Sequence, residues 1–172
     1  MKKSILLVFL TVSSWGTFAQ HSHGSHGNET KKNTDQMGPM FKSQEMGEAY
    51  LKYTALKDAL FASDVLKSND AAAQLVLALQ EVKNGNKAFT GAKMVSEAKS
   101  IEDKRKMFAM LSAEMIELVK NSKLTMGAIY VDYCPMANDN AGASWLSNDA
   151  KIANPYFGDK MPSCGSVKET IE

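Results

Sequence analysis

Arginine and histidine are scarce in this sequence, and their scarcity excludes whole classes of function. Arg105 is the sole arginine, which all but removes arginine-based recognition of phosphate or carboxylate. The three histidines, His21, His23 and His26, lie near the start, and none occurs from residue 27 onward. Ser-His and Cys-His nucleophile pairs and the His-Glu-x-x-His pattern are therefore excluded from the body of the chain. No Gly-rich phosphate loop is present, so the expectation is a protein that is not an enzyme. Cysteine is limited to Cys134 and Cys164, short of the four Cys and His ligands that structural zinc favours. Beyond the first twenty residues no apolar run is long enough to span a bilayer.

What the N-terminus does contain reads as a means of export. Lys2 and Lys3, the apolar run from Ile5 to Val12 and the small-x-small Thr17-Phe18-Ala19 predict a secretory signal over residues 1–19. The expected mature protein is soluble and periplasmic, one domain of 172 − 19 = 153 residues. Its formal charge is (20 − 2) − 19 = −1, a poor match for nucleic acid. Residues 20–42 are polar and read as a flexible tail. Its His21, His23 and His26 are spaced so that neutral imidazoles could close around Cu(II), Ni(II) or Zn(II); the competing reading is a solubilising linker. Met37-Gly38-Pro39-Met40, with Met46 beyond, is either a thioether set for Cu(I) or a means of docking the tail.

The rest, residues 43–172, predicts a mainly α domain: an up-and-down four-helix bundle with a C-terminal strand clip and a long Cys/Met-containing loop. Ser43 is placed to cap a helix over 44–66, with Met46, Tyr50, Tyr53, Leu56 and Leu60 on its apolar face and Lys52, Lys57 and Asp58 toward solvent. Ser68-Asn69-Asp70 is expected to break the chain before a second helix to about Lys83. A short third helix over 86–98 is interrupted by Gly91. A fourth begins at Ser100, with Lys104, Met107, Phe108, Leu111, Met115, Leu118 and Val119 making the clearest amphipathic pattern in the chain. Ala128 to Tyr133 alternates as a strand, and Gly165 to Thr170 is its expected partner.

Between those strands lies the stretch that carries chemistry. Cys134 and Met136 flank Pro135, and Met161 and Cys164 flank Pro162-Ser163. Thiolate and thioether sulfur favour Cu(I) and Ag(I), and an extended Cys134-Pro135-Met136 segment would present both sulfurs on one side. A disulfide between Cys134 and Cys164 is the alternative, stabilising by roughly 3 to 4 kcal/mol in the chain-entropy model. Redox chemistry at Cys134 is a third reading, weakened by the lack of a Cys-x-x-Cys pair or a nearby cation. Trp145, Tyr156 and Phe157 are available either to tuck against the bundle or to form a docking surface.

The motifs Tyr133-Cys134-Pro135-Met136-Ala137, Gly142-Ala143-Ser144-Trp145-Leu146-Ser147, Ile152-Ala153-Asn154-Pro155-Tyr156-Phe157-Gly158 and Met161-Pro162-Ser163-Cys164-Gly165 closely resemble the C-terminal signature of a bacterial envelope family, domain of unknown function 3347. Tyr50-Leu51 and Leu56-Lys57-Asp58-Ala59-Leu60 are similar to the start of that domain. The resemblance spans about residues 46 to 170. It implies an exported protein of envelope copper handling, since members also occur attached to periplasmic adaptor subunits of copper and silver efflux pumps. The expected ligands remain those of the sulfur argument: Cys134, Met136, Met161 and Cys164 for Cu(I), with His21, His23 and His26 for Cu(II).

Overall fold

The computed structural model describes residues 38–172. The expected signal at 1–19 and the histidines His21, His23 and His26 lie outside the described residues, as do Met37 and most of the expected tail. Ser43 opens α1 (Gln44–Phe61), its Oγ accepting from the Met46 N–H at 3.2 Å, as an N-cap serine should. The helix ends five residues earlier than expected. Ser63 takes a left-handed φ of 55°, and Asp64 caps α2 (Val65–Gln80) by accepting from the Lys67 N–H at 2.9 Å. Ser68-Asn69-Asp70, expected as a break, lies inside α2. The buried Ser68 hydroxyl donates back to the carbonyls of Asp64 and Val65, which satisfies it without leaving the helix.

α3 (Asn86–Glu97) and α4 (Ile101–Lys120) follow. Ser100 caps α4, accepting from the Asp103 N–H at 3.0 Å. Gly91 does not interrupt α3; a Cβ there would come within 2.9 Å of the Leu111 Cα, so its missing side chain lets α3 lie directly on α4. Consecutive helices pack side by side, α1 on α2, α2 on α3 and α3 on α4, and connections this short turn each helix back along the last. The outer two, α1 and α4, meet through an aromatic stack. Tyr53 and Phe108 have ring centroids 5.3 Å apart, and the Tyr53 hydroxyl lies 2.8 Å from that of Ser112.

The expected strand clip is part of a larger sheet. β3 (Ile129–Cys134) pairs antiparallel with β5 (Ser166–Ile171) as predicted, but also with β4 (Ala143–Ser147) on its other edge. A separate two-stranded ribbon joins β1 (Met40–Phe41) to β2 (Leu124–Met126). The stretch around β4, rich in Asn, Gly, Ser and Pro, reads as loop from the sequence; pairing with β3 and a seat on α4 make Ala143–Ser147 a strand. The Tyr53 hydroxyl accepts the Leu146 N–H at 3.1 Å, tying strand to helix.

Two lysines are buried, one of them against expectation. Lys57, expected in solvent, is buried, with Nζ 2.8 Å from Asp58. Lys104 is fully buried and donates to the Val95 carbonyl at 2.8 Å, covering an otherwise unpaired group at the end of α3. No helix among the described residues is long and apolar enough to cross a membrane.

Candidate metal centre

Cys134 is the last residue of β3, fully buried and opposite Ala143 of β4. The chain then turns: the Cys134 carbonyl accepts from the Ala137 N–H at 3.4 Å, with Pro135 at the turn position its fixed φ suits. The extended geometry expected to carry Cys134 and Met136 on one side therefore stops at Cys134. Met136 instead lines a cavity of about 540 Å³ with Arg105, Lys106, Asp139 and Phe157, and neither cysteine is part of that lining.

The second half of the site is placed by Asn154. This buried side chain donates to the Cys164 carbonyl at 2.7 Å and accepts from the Tyr156 N–H at 2.8 Å, while its own backbone N–H reaches the Pro162 carbonyl at 2.9 Å. A turn from Met161 to Cys164, closed by the Cys164 N–H on the Met161 carbonyl at 3.3 Å, presents Cys164 to β3. Gly165 then sits at φ 138°, where a Cβ would lie 2.9 Å from the Tyr133 carbonyl and 3.0 Å from the Trp145 ring. Only glycine lets the strand pass this close.

The result is a sulfur pair. Cys134 Sγ and Cys164 Sγ are 3.0 Å apart and unbonded. Cys134 is closed off from solvent and Cys164 is partly open to it. The neighbouring Cys134 thiol, and to a lesser degree burial, raise the Cys164 thiol above its ordinary pKa, as expected when two ionisable groups would have to share negative charge. Met161, at the start of the Cys164 turn, is half-buried. Among the described residues no three His, Cys, Asp or Glu side chains converge as a metal-holding group.

Trp145 and Tyr156 form the wall around this region and do not offer a docking surface. Both are buried, their rings edge-on with centroids 5.8 Å apart, and the Tyr156 hydroxyl donates to the Ser144 carbonyl at 2.7 Å. Beside them is a group that sequence reasoning missed. Asp132, on the same face of β3 as Cys134, is fully buried with neither oxygen hydrogen-bonded, and the Trp145 Nε1 opposite it is also unpartnered. Burial pushes the Asp132 carboxyl up to about 6 against the opposing pull of Lys57. A signal was present: the alternation that placed Asp132 away from Val131 also placed it with Cys134, a residue type that is usually buried.

The remaining methionines divide by setting. Met46 and Met115 are core, Met110 stands exposed on α4, and Met40 and Met126 are exposed and are register partners in the β1–β2 ribbon beside its bulge. Set against known proteins, residues 49–127 match the family described as "Protein of unknown function (DUF3347)". The match runs from α1 through the end of β2 and stops before the sulfur-bearing stretch. No curated protein and no solved structure matches the chain.

Proposed function

Taking the helical segment 49–127 as the domain of unknown function 3347, we propose that this is a periplasmic soft-metal binding protein, a carrier or buffer for Cu(I) or Ag(I) in envelope metal homeostasis. The family's description names no activity, so the reading rests on one observation, the 3.0 Å approach of Cys134 Sγ to Cys164 Sγ. Two sulfurs bonded to one metal at ~2.3 Å in tetrahedral geometry are roughly 3.8 Å apart. Parting the pair by about 0.8 Å therefore suffices to admit an ion, a shift within reach of two turn-borne side chains. Thiolate donors select Cu(I) and Ag(I) over harder cations. The partly open Cys164 gives a partner's ligands access for exchange.

In this reading the two thiolates bind the ion and Met161, which opens the turn three residues before Cys164, is the supplementary thioether. Met136 would join only if the Cys134–Ala137 turn reopened. His21, His23 and His26 would capture Cu(II) ahead of the domain, and a periplasmic adaptor subunit of an efflux pump would be the exchange partner. The same short distance favours one alternative, a structural disulfide in a non-metal interaction module, since closure by about 1 Å makes an S–S bond. That alternative has lost most of its docking surface, because Trp145 and Tyr156 are buried.

The test is Cu(I) titration of reduced protein against a competing chelator, with intact mass recorded before and after reduction. One Cu(I) per chain is expected, with affinity falling about tenfold or more, at least ~1.4 kcal/mol, in Cys134→Ser and in Cys164→Ser. Affinity unchanged from the parent in both variants, or a cystine that reductant does not open, would overturn the metal reading.

A further inference from the structure

We propose that Met40 and Met126 form a second soft-metal site, made of thioethers alone and independent of the cysteine pair. The two residues are register partners in the β1–β2 ribbon. The register shifts between Met40 and Phe41, with Thr125 as the extra residue on β2. Residues opposed in a regular antiparallel pair have Cβ atoms about 4.5–5.5 Å apart, and the local twist of such a bulge is what the long methionine side chains must span. Both side chains stand in solvent, Met40 at 45% and Met126 at 55% exposure, while Met46 and Met115 are buried in the core. Single exposed apolar residues are ordinary; two unpacked thioethers in register are a different arrangement.

The backbone beneath them is held from several directions. The Lys42 N–H donates to the Lys123 carbonyl at 2.8 Å, and the Thr125 hydroxyl donates to the Met40 carbonyl at 3.2 Å. The Phe41 ring packs on Tyr50 with centroids 5.4 Å apart. Gly127, at φ 80°, brings the chain so close to Pro39 that a Cβ would lie 3.1 Å from the Pro39 Cα. The ribbon thus fixes the two Cα positions while each methionine keeps three free torsions to aim its sulfur.

Two sulfurs on bonds of ~2.3 Å span at most about 4.6 Å, a separation these side chains reach from opposed Cβ atoms. Neutral thioethers select Cu(I) and Ag(I) and leave zinc, magnesium and calcium in water. A thioether carries no proton to displace and forms no cystine, so this site keeps its donors in acid and under the mild oxidation that pairs thiols, though not under oxidants strong enough to form the sulfoxide. It would hold a soft ion when the cysteine pair cannot.

The experiment uses the full chain carrying Cys134→Ala and Cys164→Ala, with methionine ε-methyl groups labelled with ¹³C, titrated with Ag(I) as a redox-inert probe. The Met40 and Met126 methyl resonances are expected to shift together and saturate at one Ag(I), and to do so equally at mildly acid pH. Met40→Leu should abolish the shift of Met126, and Met126→Leu that of Met40. In the chain with both cysteines, the same two resonances should again move together, at the second equivalent when the cysteine pair takes the first and at the first when it takes none, which covers the case of a poorly folded double variant. Resonances that stay still, that move independently of each other, or that shift in step with all other methionines would each reject the site. Because the cysteines are absent from the main titration, such a failure leaves the Cys134–Cys164 reading untouched, and loss of that reading leaves this one standing.

Discussion

Asp132 holds a carboxyl group fully inside the protein, facing a Trp145 indole N–H that is near enough to favour the charged form but is not aligned as a full hydrogen bond. A poorly partnered buried carboxylate costs several kcal/mol, and a protein commonly answers by raising the pKa; the value of about 6 reflects burial first, with Lys57 and the Trp145 N–H opposing it and Asp149 adding to it. At pH 7 the group is still mostly charged. Asp132→Asn removes that charge, preserves the shape, and offers an amide oxygen to the Trp145 N–H. The variant is expected to be more stable than the parent at pH 7 by about 1–3 kcal/mol, measured as a higher urea midpoint. A lower midpoint would mean that the carboxylate is held by a partner, such as ordered water, that the amide cannot satisfy.

Among the elements, α3 and α4 approach each other backbone to backbone at Gly91. Gly91 faces Leu111, where an added Cβ would lie 2.9 Å from Cα, 3.2 Å from Cβ and 3.3 Å from the backbone N. Alanine in place of a helical glycine gains about 1 kcal/mol of propensity. Overpacking against backbone costs typically 1–3 kcal/mol because no rotamer change relieves it. The steric term should win, so Gly91→Ala is expected to lower thermal stability by a net of about 1 kcal/mol; a rise in the melting temperature would show that the helices part more easily than their packing implies. Arg105 binds elements by the opposite means. Its guanidinium donates to the carbonyls of Pro155 and Leu60 and to the Ser63 hydroxyl, at 2.8, 2.8 and 2.9 Å. The scarce arginine joins the end of α1 to the stretch before Cys164, so its role is structural.

For the molecule as a whole, Cys134 and Cys164 join the end of β3 to the start of β5, and their oxidation would lock the sheet around the intervening β4. Since the thiols already lie 3.0 Å apart, little native strain opposes closure. Oxidised protein is expected to resist urea better than reduced protein by roughly 3 kcal/mol and to lose Cu(I) binding at the pair. Equal midpoints for the two forms would mean that the unfolded chain gains nothing from losing its loop entropy, or that the bond distorts the sheet.

The helices were legible because their information is local. Met46, Tyr50, Tyr53, Leu56 and Leu60 recur at the helical period and all are buried, and Ser43 and Ser100 cap where they were expected to. The polar segment Ser68-Asn69-Asp70 misled because its satisfaction depends on where Ser68 points, and β4 was missed because its strand character comes from β3 and Tyr53 rather than from its own residues. The two cysteines announced a shared purpose by sequence, but the choice of companions did not follow from spacing: the turn at Pro135 sends Met136 to another cavity, and the ribbon pairs Met40 with a methionine 86 positions away. By itself the sequence determined the amphipathic helices, their caps and the sulfur inventory, since periodicity and capping act over a few residues. Only the tertiary structure decided which sulfurs meet, because strand pairing and close packing join residues that share no local pattern.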